Sequence, residues 1–141
     1  MRTYGTARWQ GGLKDGIGAL STKSGVLKDA PYGFKARFEG GPGTNPEELL
    51  GAAHAGCFTM ALSAILGEAG MTAEQMDTKA DVNLVKDGDG FSITKIHLTL
   101  RAKIPGADKT KFDECAAKAK AGCPVSKLFK GAEITLDAAL V

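Results

Sequence analysis

The segment from Asn45 to Gly70 constrains the fold of this chain more than any other. Asn45 is a natural N-cap, and Pro46 suits a first helical position because its missing N–H has no partner to lose there. Glu48, three residues after the cap, predicts a capping box. A helix therefore starts at Pro46. Apolar and small residues continue through Leu49, Leu50, Ala52, Ala53, Cys57, Met60, Ala61, Ala64 and Ile65 until Gly70 supplies a stop. A helix this rich in Ala and Gly can pack closely on several sides, which places it at the centre of the fold.

The flanking segments read differently. Tyr4 to Phe38 carries short alternating stretches broken by Gly11-Gly12, Gly16, Gly18, Gly25 and Gly33, and predicts short strands with tight turns. The last of these strands is Gly33 to Phe38, with Phe34, Ala36 and Phe38 on one face and Lys35, Arg37 and Glu39 on the other. Lys79 to Leu84 and Phe91 to Leu100 predict a hairpin around Asp87-Gly88-Asp89-Gly90. A change of apolar parity between Ile93 and Ile96 predicts a bulge. Asp108 can cap a second helix with Phe112, Cys115, Ala116 and Ala119 on its apolar face, ending at Gly122. Pro124 opens a short third helix to about Lys130, and Ile134, Leu136, Ala138 and Leu140 alternate as a final strand. This order suits a single α+β domain over residues 1–141, with antiparallel sheets around the long helix.

A chain of 141 residues is long enough to bury roughly 70% of its unfolded surface without a metal or disulfide. The net charge of +2 is small and the 18 basic residues are scattered, so no nucleic-acid footprint is present. The N-terminus lacks a basic-then-apolar leader, and no apolar run is expected to reach the ~20 residues of a membrane span. The expected compartment is the cytoplasm. Three cysteines at irregular spacing do not make a secreted disulfide framework, so any disulfide here is catalytic before it is structural.

Two of those cysteines stand in specific settings. Glu47, Leu50, His54 and Cys57 follow helical spacing along one face, whereas Glu48 points nearly opposite Cys57 and is taken by the capping box. A carboxylate beside a thiol raises the thiol pKa, and mid-helix placement denies Cys57 an N-terminal dipole, so the arrangement demands a cation. By chain order Arg37 is the candidate, although its pattern alone reads as a solvated sheet residue. Cys123 falls in the Gly122-Cys123-Pro124 break, at the N-cap of the third helix, where free N–H groups can lower a thiol pKa. The residues alone leave Cys123 open as the attacking thiol. Cys115 shares an apolar stripe with Phe112 and Ala119 and reads as inert core. His54 reads as a packed or hydrogen-bonded core histidine. With only His54 and His97 and no CxxC or HExxH spacing, no metal site is expected.

At these positions the chain resembles the OsmC family of thiol-dependent peroxidases, related to the organic hydroperoxide resistance proteins. The resemblance runs through Ser24-Gly25-Val26-Leu27, Pro31-Tyr32-Gly33-Phe34, Arg37-Phe38-Glu39-Gly40 and Gly43-Thr44-Asn45-Pro46-Glu47-Glu48-Leu49. It continues in His54-Ala55-Gly56-Cys57-Phe58-Thr59-Met60-Ala61-Leu62 and Ala119-Lys120-Ala121-Gly122-Cys123-Pro124-Val125-Ser126. Gly56 and Thr59 stand where Ala and Ser are usual in that branch. The resemblance implies an intertwined homodimer with Cys57 as peroxidatic thiol, Cys123 as resolving thiol, and Arg37 and Glu47 as the catalytic Arg and Glu. Arg8 is the less favoured substitute for Arg37.

It further implies reduction of organic hydroperoxides, and of hydrogen peroxide less well, through a Cys57 sulfenic acid and a Cys57–Cys123 disulfide. An external thiol, such as a lipoylated protein, reopens that disulfide. No metal, flavin or haem is required, and Phe38, Phe58 and Met60 are the candidates for an apolar substrate surface. The setting implied is oxidative or osmotic stress. Two other classes compete: a cysteine hydrolase or acyltransferase using Cys57 with His54 as base, and a non-catalytic binding protein with structural thiols.

Overall fold

In the computed structural model, which describes residues 1–141, three short strands open the chain. These are β1 (Gly5–Gln10), β2 (Ile17–Thr22) and β3 (Ala30–Tyr32), joined as an antiparallel sheet in the order β1-β2-β3. Trp9 on β1 packs against Tyr32 on β3 with ring centroids 5.5 Å apart. The strand expected next is instead a short helix, α1 (Phe34–Phe38). Alternation over five residues also puts Phe34 and Phe38 one helical turn apart, and their rings pack at 4.9 Å. The helical turn carries Arg37 away from the sheet face that the pattern had assigned to it.

The long helix, α2, runs Pro46–Glu68. Asn45 Oδ1 accepts from the Glu48 N–H at 2.9 Å, the capping bond expected from the sequence. The reciprocal half of the box is replaced, because Thr44 Oγ1 donates to the Glu48 carboxylate. At the other end Gly70 adopts φ 76°, Met71 N–H donates to Leu66 C=O at 2.8 Å and Gly70 N–H to Gly67 C=O at 3.0 Å. This left-handed Schellman stop favours a residue without a Cβ.

Two compact units divide the chain inside α2, Met1–Leu49 and Leu50–Val141. The second contains β4 (Gln75–Asp87), β5 (Gly90–Lys103), α3 (Lys109–Gly122), α4 (Pro124–Leu128) and β6 (Glu133–Leu140). β4 and β5 pair antiparallel through a tight turn at Gly88, and the register slips where Asn83 faces Lys95 and Leu84 faces Ile93. Thr94 is the extra residue, so the bulge sits where the parity change placed it. β6 lies parallel to β5. The sheet is therefore mixed, which corrects the expectation of purely antiparallel sheets. The physical reason is the connection: α3 and α4 cross over before β6 begins, and such a crossover permits a parallel return that a tight turn cannot make.

Asp108 caps α3 by accepting from the Lys111 N–H at 2.8 Å. Its apolar face meets α2 and β5 in the core of the second unit, where Phe58, Leu62, Leu66, Leu98, Leu100, Phe112, Ala116 and Ala119 are buried. Gly51 brings α2 close to β4, since a Cβ there would stand 3.0 Å from the Ala80 carbonyl oxygen. By length and composition α2 could cross a membrane, with mean hydropathy 1.7 over its most apolar window, contrary to the expectation that no run reaches span length. A core helix passes the same test, and one side of α2 is packed as core.

Candidate active site

Arg37 and Glu47 form an ion pair within the first unit. Arg37 Nη2 lies 2.6 Å from Glu47 Oε1, and Arg37 Nε reaches Oε1 and Oε2 at 3.1 and 3.2 Å. Glu47 is buried, its side chain 10% exposed, whereas that of Arg37 is 38% exposed. The guanidinium also lies 5.3 Å from the centre of the Phe38 ring. The carboxylate thus holds one edge of a fork whose remaining donors stay accessible. The solvated reading of Arg37 is replaced by this fixed pair. Arg8, the substitute considered from sequence, instead meets Asp29 at 3.5 Å on the exposed surface. Trp9, Leu13, Tyr32, Phe34 and Phe38 wall a cavity of about 200 Å³ beside Arg37.

The thiols belong to the second unit. Cys57 is half-buried on α2, and Cys123 is fully buried between α3 and α4. All three cysteines are free, and Cys123 neighbours Cys57 closely enough to act on its thiol. Cys123 occupies the N-cap of α4 as expected: its Sγ accepts from the Ser126 N–H at 3.3 Å. Cys115 is buried in the core cluster that includes Phe112. Phe58, considered for a substrate surface, is fully buried in the core, whereas Met60 is exposed on the opposite side of α2. Gly56 has open space where a Cβ would stand, and the Thr59 hydroxyl donates to Ala55 C=O and meets Thr78 Oγ1, both at 2.7 Å. These two departures from the usual Ala and Ser are thus accommodated.

Burial pushes the Cys57 thiol above its ordinary pKa, and Cys123 adds to that shift, while the Val125 backbone N–H pulls it down. A cation beside the thiol would act against that upward shift. His54 is fully buried, with Nε2 2.7 Å from Ser126 Oγ and its ring edge-on to Phe129 at 5.4 Å. It is the hydrogen-bonded core histidine that the sequence predicted. Ser126 is a neighbour of the Cys123 thiol that residue type alone does not single out. Its signal was the spacing, since the third residue after an N-cap presents its N–H to the cap side chain. The larger cavity of the second unit, about 510 Å³ and lined by Leu50, Thr94, Ile96 and Phe129 among others, contains neither thiol.

A family model described as OsmC-like protein matches residues 39–138. The chain belongs to the OsmC-like family. The chain is 60% identical over 133 residues to peroxiredoxin OsmC of Escherichia coli strain K12, covering 94% of this chain and 92% of that protein. Organic hydroperoxide resistance protein OhrB of Bacillus subtilis strain 168 is 34% identical over 116 residues, covering 81% and 82%. The crystal structure of OhrB from Bacillus subtilis superposes with a TM-score of 0.78 at 30% identity over 99% of this chain and 98% of that one. An OsmC-like protein from Mycoplasma pneumoniae shares the fold at TM-score 0.79 and 16% identity, covering 100% and 98%. The OsmC-like fold is an α+β arrangement of two small sheets and one long helix.

Proposed function

We infer that this OsmC-like protein is a thiol peroxidase that reduces organic hydroperoxides, with Cys57 as the attacking thiol and Cys123 as the resolving thiol. The observation that carries the reading is the pair itself: a half-exposed thiol on an ordered helix, with a second thiol beside it at a helix junction. The names of its relatives, a peroxiredoxin and organic hydroperoxide resistance proteins, support the same activity. The Cys57 thiolate attacks one peroxide oxygen, the O–O bond breaks, and the leaving oxygen takes a proton to become an alcohol. Cys57 is left as a sulfenic acid. Cys123 attacks its sulfur, water leaves, and a disulfide forms that an external thiol reopens by exchange. A lipoylated protein is the class of reductant we propose.

Arg37, held by Glu47, supplies the cation that favours the thiolate and polarises the peroxide. Its fork suits this task because one edge binds the carboxylate and the other stays available. The apolar cavity beside it favours an alkyl hydroperoxide over hydrogen peroxide by burying the alkyl group. Arg37→Lys keeps the charge and loses the fork. Turnover of cumene hydroperoxide is then expected to fall roughly 10²-fold, and turnover equal to wild type would remove Arg37 from the mechanism.

The functional form we propose is a cytoplasmic homodimer of one peroxidase domain, residues 1–141, acting in oxidative and osmotic stress. An apolar helix of which only 28% of its most apolar window is buried calls for a covering surface, and Ala52, Ala53, Gly56, Met60 and Ala64 lie open along it. A second copy supplies such a surface at no cost in new sequence. The direct test of the peroxidase reading is intact-mass spectrometry of wild-type protein after one equivalent of cumene hydroperoxide. Loss of two hydrogens, with a peptide map that joins Cys57 to Cys123, is expected. An unchanged mass would favour the non-catalytic reading.

A further inference from the structure

Ser126 links Cys123, the resolving thiol, to His54, a buried histidine that the peroxide chemistry described above does not use. Its hydroxyl lies 2.7 Å from His54 Nε2 and 3.2 Å from Cys123 Sγ, and the geometry has the thiol as donor to Ser126 Oγ. Its backbone N–H donates to the same sulfur at 3.3 Å. With the thiol proton pointing at Oγ, the serine proton is left to point at Nε2, which makes His54 the terminal acceptor of a chain S–H to O–H to N. His54 and Ser126 are both buried, 0% and 4% exposed, and His54 Nδ1 has no hydrogen-bond partner. An unsatisfied buried nitrogen is costly, and one that persists calls for a reason. Burial holds His54 below its ordinary pKa and so keeps it a neutral acceptor at rest.

We propose that Ser126 and His54 form a proton relay that deprotonates Cys123 for disulfide closure. The inference rests on the two-thiol reading given above. In the step, the Cys123 proton passes to Ser126 Oγ as the Ser126 proton passes to His54 Nε2. The Cys123 thiolate then attacks the sulfur of the Cys57 sulfenic acid, the new S–S bond forms, and the S–O bond breaks. The departing hydroxide takes one proton, supplied in net by His54, and leaves as water, so His54 returns to neutral. The Ser126 N–H holds the thiolate in the interval, and the hydrogen bonds of the chain can reverse direction without any heavy atom moving. Ser126, which touches the reacting sulfur, is the catalytic residue, and His54, acting through it, is a positioning residue and proton store.

Rapid quench of the full-length protein with a sulfenic-acid trap, read by intact mass, separates the two steps. Sulfenic acid at Cys57 reports peroxide cleavage, and loss of two hydrogens reports closure. In Ser126→Ala closure is expected to slow about 10²-fold while sulfenic acid forms at the wild-type rate and accumulates, and Ser126→Thr restores closure by restoring the hydroxyl. His54→Gln preserves a hydrogen-bonding side chain of similar reach but holds no proton, so a relay predicts slow closure there as well. Wild-type closure in both Ser126→Ala and His54→Gln overturns the relay and leaves the peroxidase reading intact. Wild-type closure in His54→Gln alone reduces His54 to a structural partner and also overturns it. Failure of wild-type protein to form sulfenic acid at Cys57 overturns the two-thiol reading and the relay together.

Discussion

Peroxidase turnover is expected to fall on the order of 10⁶-fold in Cys57→Ser, the scale of loss seen when a covalent nucleophile is removed. A serine hydroxyl at this half-buried position stays protonated near neutral pH, and it is a far weaker nucleophile toward peroxide than a thiolate. Cys123→Ser is different. Its Cys57 still reacts once and stalls as a sulfenic acid, so single turnover survives while steady-state turnover with a thiol reductant falls. The comparison is made with cumene hydroperoxide in both regimes. Survival of single turnover in Cys57→Ser, with loss of it in Cys123→Ser, would reverse the two roles, the alternative that the residues alone left open.

The second large effect concerns stability. Phe58→Ala is expected to cost about 3–5 kcal/mol, because Phe58 is fully buried in the core cluster that includes Leu62, Leu98 and Phe112, and the cavity left behind can close only partly. Against a typical total of about 5–15 kcal/mol this is a large fraction. Urea unfolding with an unchanged slope and a lowered midpoint checks it. Should the midpoint stay within experimental error of wild type, Phe58 does not hold the core of the second unit. A preference for alkyl over inorganic peroxide is expected to persist in whatever Phe58→Ala folds, since the ring lines no open surface.

These two residues, adjacent in the chain, show how the information is divided. Residue type and helical spacing put Cys57 on the boundary of α2 and Phe58 beside it, but a period of 3.6 does not say which face meets the core when Ala and Gly surround both. Local signals served best where the physics is local. Asn45 and Asp108 cap through bonds to N–H groups three residues ahead, Gly70 takes the one conformation its lack of a Cβ favours, and Cys123 accepts from Ser126 within a single turn.

Phe34 to Phe38 shows the limit, since five alternating residues satisfy a strand and a single helical turn equally well, and the ring contact of Phe34 with Phe38 accompanies the turn. The chain by itself determined the long capped helix, the hairpin with its bulge, the α+β class and the two thiols worth attention. Only the tertiary structure decided that Arg37 is held by Glu47, that β6 runs parallel to β5, and that His54 meets Ser126 across 72 positions of sequence. Caps and turns are encoded within a few residues, whereas partners so far apart are chosen by packing, and no local pattern carries that choice.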